Sequence, residues 1–278
     1  MKYELVIIGA GLTGVEVALQ AKKMGLESVL IVDYNDQFGG FNHSLLAEDA
    51  FEEEKNRMKK FKELPYEKWT NATVTGLFEA FGDGEHEINV QTKTGTFDIE
   101  AKKIIICSGA LEKPREAHKI GGTRPAGVMT PTMALGLLDR GFLPGNQVVV
   151  YENSKTSRAL SKLLENKGVQ VTTVEANDYA LHKVYGKSSL EKIEVKDKNN
   201  DEIESFQCDS LIFSEGFIPS TFYLKGTGIE LNDKQFILTD SEGKTSVDNI
   251  LAFGYCTDHN ETSNETIEKS MKQLFIQS

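Results

Sequence analysis

The sequence predicts an α/β fold with two βαβ units, and three observations carry that expectation. An apolar run, Glu4-Leu5-Val6-Ile7-Ile8, enters Gly9-Ala10-Gly11-Leu12-Thr13-Gly14, and Asp33 closes a second apolar run at Val29–Val32. The same hydrophobic spacing returns between Gln147 and Glu175. Residues 103–109, 208–216 and 249–254 are three further buried-type strands, each running into a glycine.

In the first unit the apolar strand, G-x-G-x-x-G turn, following helix and acid about 20 residues on form a dinucleotide-binding pattern. Gly9 makes the tight turn, Gly11 lets a diphosphate approach the backbone, and Gly14 allows close helix–strand packing. The helix opening at Leu12 and Thr13 directs its free N–H groups and positive dipole end at phosphate. Asp33 is placed to accept hydrogen bonds from a ribose diol. Residues 49–64 are charged and helical in period, with Phe51, Met58 and Phe61 as inward contacts and Pro65 as the stop. Residues 72–78, 87–92 and 96–99 alternate around turns such as Gly82-Asp83-Gly84 and read as a β-meander. A hairpin is expected from residues 190–195 and 202–206, and a last helix from about Thr262. Residues 121–125 and 216–219 are the expected interdomain crossings.

The second unit keeps the pattern but not the glycines. Glu152, Ser154 and Ser157 stand where the first unit has Gly9, Gly11 and Gly14, while Gly168 matches Gly25. Glu152 would bring negative charge toward a diphosphate, and the serines would add bulk where backbone must come close. The expectation is a nucleotide domain that has lost its ligand. The alternative is that Ser154, Lys155 and Thr156 hold a phosphate by another geometry. Glu175 matches the ribose acid in position, and without its glycines it reads as a solvated strand end.

The chain has 278 residues and a net charge of −11, with no basic block. That argues against nucleic acid and anionic membrane as partners. The first strand begins at once, so no secretory or transmembrane segment is expected. Cys107, Cys208 and Cys256 are widely spaced, which suits a reducing cytoplasm and supplies neither a C-x-x-C pair nor a metal cluster.

These motifs resemble flavoproteins with two dinucleotide-binding domains, of the thioredoxin-reductase-like type, over essentially the whole chain. Matching features are the N-terminal glycine motif, Asp33, the pair Gly39-Gly40, the turn Cys107-Ser108-Gly109, the crossing from Gly216 to Pro219, and the terminal Leu251-Ala252-Phe253-Gly254-Tyr255. Glu112-Lys113-Pro114-Arg115 and residues 121–130 resemble a branch with flavin subunits of bacterial amino-acid and opine dehydrogenases, hydrogen cyanide synthase, and flavoproteins of glycerol 3-phosphate oxidation. Tyr255 departs from the family's usual Asp, for which a shifted Asp258 could substitute. The cysteine-rich iron–sulfur extension of many branch members is not matched.

The resemblance implies two Rossmann-like three-layer βαβ domains, each with a β-meander or hairpin. An FAD-binding domain spans residues 1–112 and 215–278, and a degenerate NAD(P)-type domain at 113–214 is inserted into it. The FAD contacts implied are Gly9, Gly11, Leu12, Thr13, Gly14, Asp33, Gly39, Gly40, Thr73, Val74, Ser108, Gly109, Gly254 and Tyr255. His43 is either a flavin-facing acid–base group or an exposed loop residue. Cys107 and Cys256 either approach the cofactor or each other, or serve as buried packing. Lys113, Arg115 and Arg124 bind an anion or a partner, or form surface salt bridges. The expected function is an FAD-dependent oxidoreductase or electron-transfer subunit, cytoplasmic, with NAD(P) doubtful and no residue assigned to catalysis. Its electrons would pass through a redox partner protein or a small molecule, within a homo-oligomer or a hetero-oligomeric complex. An NAD(P)H-dependent reductase and a non-catalytic subunit are the alternatives.

Overall fold

The computed structural model describes residues 1–82, 84–260 and 262–276, which leaves Asp83 of the expected meander turn outside the described residues. The chain divides into two compact units. One comprises residues 1–43, 53–111 and 217–278; the other comprises Ser44–Glu52 and Glu112–Gly216. The expected limits at 112/113 and 214/215 lie within two residues of the divisions at 111/112 and 216/217, but the crossing expected at residues 121–125 lies inside the second unit, and residues 44–52 also belong to that unit. The reason is burial: Leu45 and Phe51 share a core with Ala134, Leu135 and Leu160.

The first unit is built on a seven-stranded sheet. Its order is Glu67–Trp69, Val29–Val32, Lys2–Ile8, Thr96–Ile106, His86–Gln91, Thr73–Phe78, with Ile250–Ala252 also paired to Thr96–Ile106. The apolar runs align in parallel, Ile8 beside Val32 on one side and Ile106 on the other. Thr96–Ile106 is one strand of 11 residues, where the sequence suggested two. Residues 96–101 pair antiparallel with His86–Gln91, and residues 104–106 pair parallel with Ile250–Ala252. Val6, Ile8, Leu30, Ile104, Ile106 and Ile250 are completely or almost completely buried in the resulting core. The helix Leu12–Lys23 packs on this sheet and on Asn264–Ile276.

In the second unit, Gln170–Glu175, Gln147–Glu152, Ser210–Ile212 and Val128–Met129 form a parallel sheet with helices Pro131–Asp139 and Lys155–Asn166. The helix Pro131–Asp139 was not anticipated, although Thr130 accepts the Met133 N–H as its N-cap (3.3 Å) and Pro131 occupies the first turn. The expected hairpin is a larger sheet, in which Tyr179–Gly186 pairs with Leu190–Asp197, and that strand with Ile203–Gln207. Among the described residues no helix is long and apolar enough to cross a membrane.

Candidate functional site

Carboxyl ends of adjacent parallel strands are where ligands bind in such sheets, and the first unit has a cavity of about 390 Å³ there. Twelve of the sequence-derived residues line it: Gly9, Gly11, Leu12, Thr13, Asp33, Gly39, Gly40, Thr73, Val74, Ser108, Gly109 and Tyr255. Gly14 and Gly254 do not, and both are explained by packing. A Cβ on Gly14 would lie 1.9 Å from the Gly9 carbonyl oxygen, and one on Gly254 would lie 2.8 Å from Thr13 Oγ1.

The three motif glycines have different causes. Gly9 has φ +99° and a Cβ there would meet the Cys107 carbonyl oxygen at 2.2 Å, so the protein itself demands glycine at 9. Gly11 has φ −69°, which any residue adopts, and a Cβ there would find only Gly40 Cα, at 3.9 Å. Protein packing therefore does not require glycine at 11. What the missing side chain leaves open is the cavity wall at the helix N-terminus, where no side chain caps the first turn. A Cβ on Gly40 would meet Gly11 Cα at 3.2 Å, so the two backbones close on one another from opposite sides.

Asp33 is 4% exposed; its Oδ2 accepts the Ala10 N–H (2.6 Å) and its Oδ1 the Asn35 N–H (2.8 Å). Burial pushes its carboxyl pKa up, and the two N–H donors act against that shift. A carboxylate has about four acceptor positions, so capacity remains for a ribose diol. These features fit FAD: an open helix N-terminus for the diphosphate, an anchored acid for the ribose, and a cavity beyond both.

Other expectations resolve differently. His43 does not line the cavity; its Nδ1 lies 2.8 Å from the Phe38 carbonyl oxygen. Asp258 does not line it either, and takes the Thr239 N–H instead (3.3 Å). Cys107 borders the cavity, while the Cys256 thiol faces the Phe253 carbonyl (3.3 Å). Burial pushes both thiols up, so they serve as neutral packing groups. Arg115 is buried and donates to the Thr123 carbonyl rather than forming a surface salt bridge. Phe41, Asn42, Leu111, Ser220, Phe222 and Tyr223 also line the cavity and carried no sequence signal, because only the fold brings them there.

The corresponding loop of the second unit is satisfied by its own side chains. Ser154 caps the helix by accepting the Ser157 N–H (3.1 Å), and Ser157 Oγ accepts the N–H groups of Asn153 (3.1 Å) and Ser154 (3.0 Å). Glu152 is not a free charge at the loop, as the sequence suggested. It is buried, takes a hydrogen bond from Ser161 Oγ (2.5 Å) and lies 3.8 Å from Arg158 Nε. Arg158 also pairs with Glu175 (3.1 Å), whose side chain keeps 42% exposure at the end of the strand Gln170–Glu175, as the sequence suggested. Lys155 Nζ sits 4.3 Å from the centre of the Phe51 ring.

Comparison with known proteins agrees with this geometry. A family model described as pyridine nucleotide-disulphide oxidoreductase matches residues 145–273, and one described as glucose inhibited division protein A matches residues 4–60. A thioredoxin reductase of Borreliella burgdorferi is 28% identical over 54% of this chain and 43% of its own. A probable pyridine nucleotide-disulfide oxidoreductase of Escherichia coli is 25% identical over 92% of this chain and 66% of its own. The chain thus spans less than two thirds of these relatives. Among solved structures, L-proline dehydrogenase from P. horikoshii superposes with a TM-score of 0.70 at 18% identity, covering 98% of this chain and 59% of that one. The thioredoxin reductase of T. acidophilum gives 0.62 at 19% identity, covering 98% and 96%. At these identities the structures speak to fold alone. The glycine motif, the two-unit α/β architecture and the two partial family matches agree in supporting membership of the FAD/NAD(P) oxidoreductase superfamily.

Proposed function

We propose that the chain is an FAD-dependent oxidoreductase, or the flavin-bearing electron-transfer subunit of one, without an efficient nicotinamide site of its own. The observation that carries this reading is the contrast between the two loops: the first is uncapped and opens on a cavity, the second is closed by Ser154 and Ser157. Bound FAD supplies the redox chemistry of its ring system. The chain's own residues bind and orient it. The backbone at Gly11, Leu12 and Thr13 takes the diphosphate, Asp33 holds the ribose, and Thr73 and Val74 flank the adenine. Cys107 borders the site as an uncharged thiol. The second unit binds dinucleotide poorly, because a diphosphate would have to displace hydrogen bonds the loop already makes. Electrons then enter or leave through a partner protein or a small molecule that reaches the flavin. The sequence holds no C-x-x-C pair, which supports a reaction other than dithiol–disulfide exchange. A second reading, an NAD(P)H-dependent reductase, is favoured by the family match that spans this same loop.

The test is an absorbance spectrum of the purified protein, followed by anaerobic reduction with NADH and NADPH, beside the double variant Ser154→Gly/Ser157→Gly. The expected result is a yellow protein reduced slowly by either nucleotide and faster in the double variant. A colourless protein that binds only NAD(H) defeats the cofactor assignment. Rapid reduction of the unmodified protein at micromolar nucleotide defeats the claim about the second loop and establishes the second reading.

A further inference from the structure

Three aromatic rings from distant parts of the first unit come together beside the cavity. Phe41 follows Gly39-Gly40, Phe217 opens the strand Phe217–Pro219, and Tyr255 follows the strand Ile250–Ala252. The Phe41 and Phe217 ring centres are 6.4 Å apart at 33°, and those of Phe217 and Tyr255 are 4.8 Å apart at 41°. Phe41 and Tyr255 line the cavity; Phe217 lies between them and is not part of the lining. The outer two rings thus form a wall, and the middle one supports it. Tyr255 is 37% exposed, so part of its ring stands open at the cavity.

The sheet order fixes where along the cavity this wall stands. Asp33 follows Val29–Val32, the Gly9–Gly11 turn follows Lys2–Ile8, Cys107 to Gly109 follow Thr96–Ile106, and Tyr255 follows Ile250–Ala252. Those are four neighbouring parallel strands. Three steps of ~4.8 Å put the wall about 14 Å across the sheet from Asp33. An adenosine anchored at Asp33 with its diphosphate at Gly11 therefore directs the other half of the dinucleotide toward Phe41 and Tyr255.

We infer that Tyr255, with Phe41 and supported by Phe217, is an aromatic wall that packs against the planar ring system of the bound cofactor and selects a dinucleotide with a large aromatic second half. The inference rests on the FAD assignment above and deepens it. Aromatic packing favours offset or tilted contacts, and the tilts of 33° and 41° show that these rings already adopt them. A residue in this role affects only ligands that reach the wall. FAD does; ADP, which ends at the diphosphate, does not.

The experiment is calorimetric titration of apoprotein with FAD and with ADP, for the unmodified chain and for Tyr255→Leu, Tyr255→Phe and Phe217→Leu, with circular dichroism to confirm folding. Tyr255→Leu should weaken FAD about two- to twelvefold, the span of a single aromatic pair, and leave ADP affinity unchanged. Tyr255→Phe should retain both affinities, and Phe217→Leu should weaken FAD by less than Tyr255→Leu. Emission of bound flavin, quenched by contact with the Tyr255 phenol, should rise in Tyr255→Leu. Equal effects on FAD and ADP, or FAD affinity and emission unchanged in Tyr255→Leu, overturn the wall while leaving the FAD assignment intact. Failure of the unmodified chain to bind FAD overturns both.

Discussion

Gly11 offers the sharpest separation between a residue the fold needs and one the ligand needs. In Gly11→Ala the new Cβ lies 3.9 Å from Gly40 Cα, an ordinary contact, and the backbone at φ −69° accepts alanine. The stability cost is then that of a poorer N-cap, about 0.5–1 kcal/mol. The same methyl group stands where a diphosphate must approach the helix N-terminus. Displacing one charge-assisted hydrogen bond there costs about 1.5–3 kcal/mol, or about 10- to 160-fold in affinity. Gly9→Ala reverses the pattern. Its Cβ would lie 2.2 Å from a carbonyl oxygen at φ +99°, which combines a left-handed penalty of about 1–2 kcal/mol with an overpacking penalty of about 1–3 kcal/mol. The assay pairs urea unfolding of the apoprotein with FAD titration. Gly11→Ala should unfold near the wild-type midpoint and lose FAD affinity, whereas Gly9→Ala should unfold much earlier. A Gly11→Ala protein with undiminished FAD affinity would refute the placement of the diphosphate, and a Gly9→Ala protein of wild-type stability would refute the packing argument.

Two further predictions concern ionisation. Burial holds all three thiols in the protonated form at neutral pH, with Cys208 pushed up to about 12; the native protein at pH 8 should resist iodoacetamide and take three alkyl groups once unfolded in guanidinium chloride, and rapid native labelling of Cys107, read by mass spectrometry, would contradict this. Hydrogen bonds from Lys269, Lys244 and Gln273 hold the Glu242 carboxyl at about 2, below its ordinary 4.5. A depressed folded-state value means that this stabilisation is full above pH 4.5 and is lost as pH falls toward 2. Glu242→Gln should therefore flatten the acid limb of the urea midpoint over that interval, and an unchanged acid limb would remove Glu242 as its source.

The parts of the fold legible in the sequence were those with local, repeated signals. The strand–glycine–helix–strand–acid run and its glycine-free counterpart carry their periodicity on their faces, and a turn such as Gly9 leaves no other residue possible. Tyr179–Gly186 escaped because its residues are almost uniformly half-buried, which erases the alternation a strand is recognised by. The segment Ser44–Glu52 was misassigned because proximity along the chain pointed to the wrong core; Leu45 and Phe51 announce that they are buried, not against what. At the candidate site the glycines and Asp33 were visible, while Phe41, Phe222 and Tyr223 were not, since an aromatic that lines a cavity has the same local pattern as one that fills a core. Glu152 shows the opposite limit. Its charge was legible, but not Ser161 and Arg158, which absorb it.

The strand Thr96–Ile106 has a consequence for the order in which the molecule can be made. Its inner half lies against Lys2–Ile8 on one side and Ile250–Ala252 on the other, with Ile104 beside Ile250, 146 positions later in the chain. Pairings of such long separation form slowly, because the intervening chain must first be confined. During synthesis that strand therefore waits with one edge bare, while most of the second unit, contiguous from Glu112 to Gly216, is already complete. Only arrival of the 250–252 segment closes the edge, and the same few residues carry Tyr255 to the cavity. The cavity is consequently completed only after the C-terminal segment of the first unit has been made. An unpaired hydrophobic edge is the hazard in the interval before it.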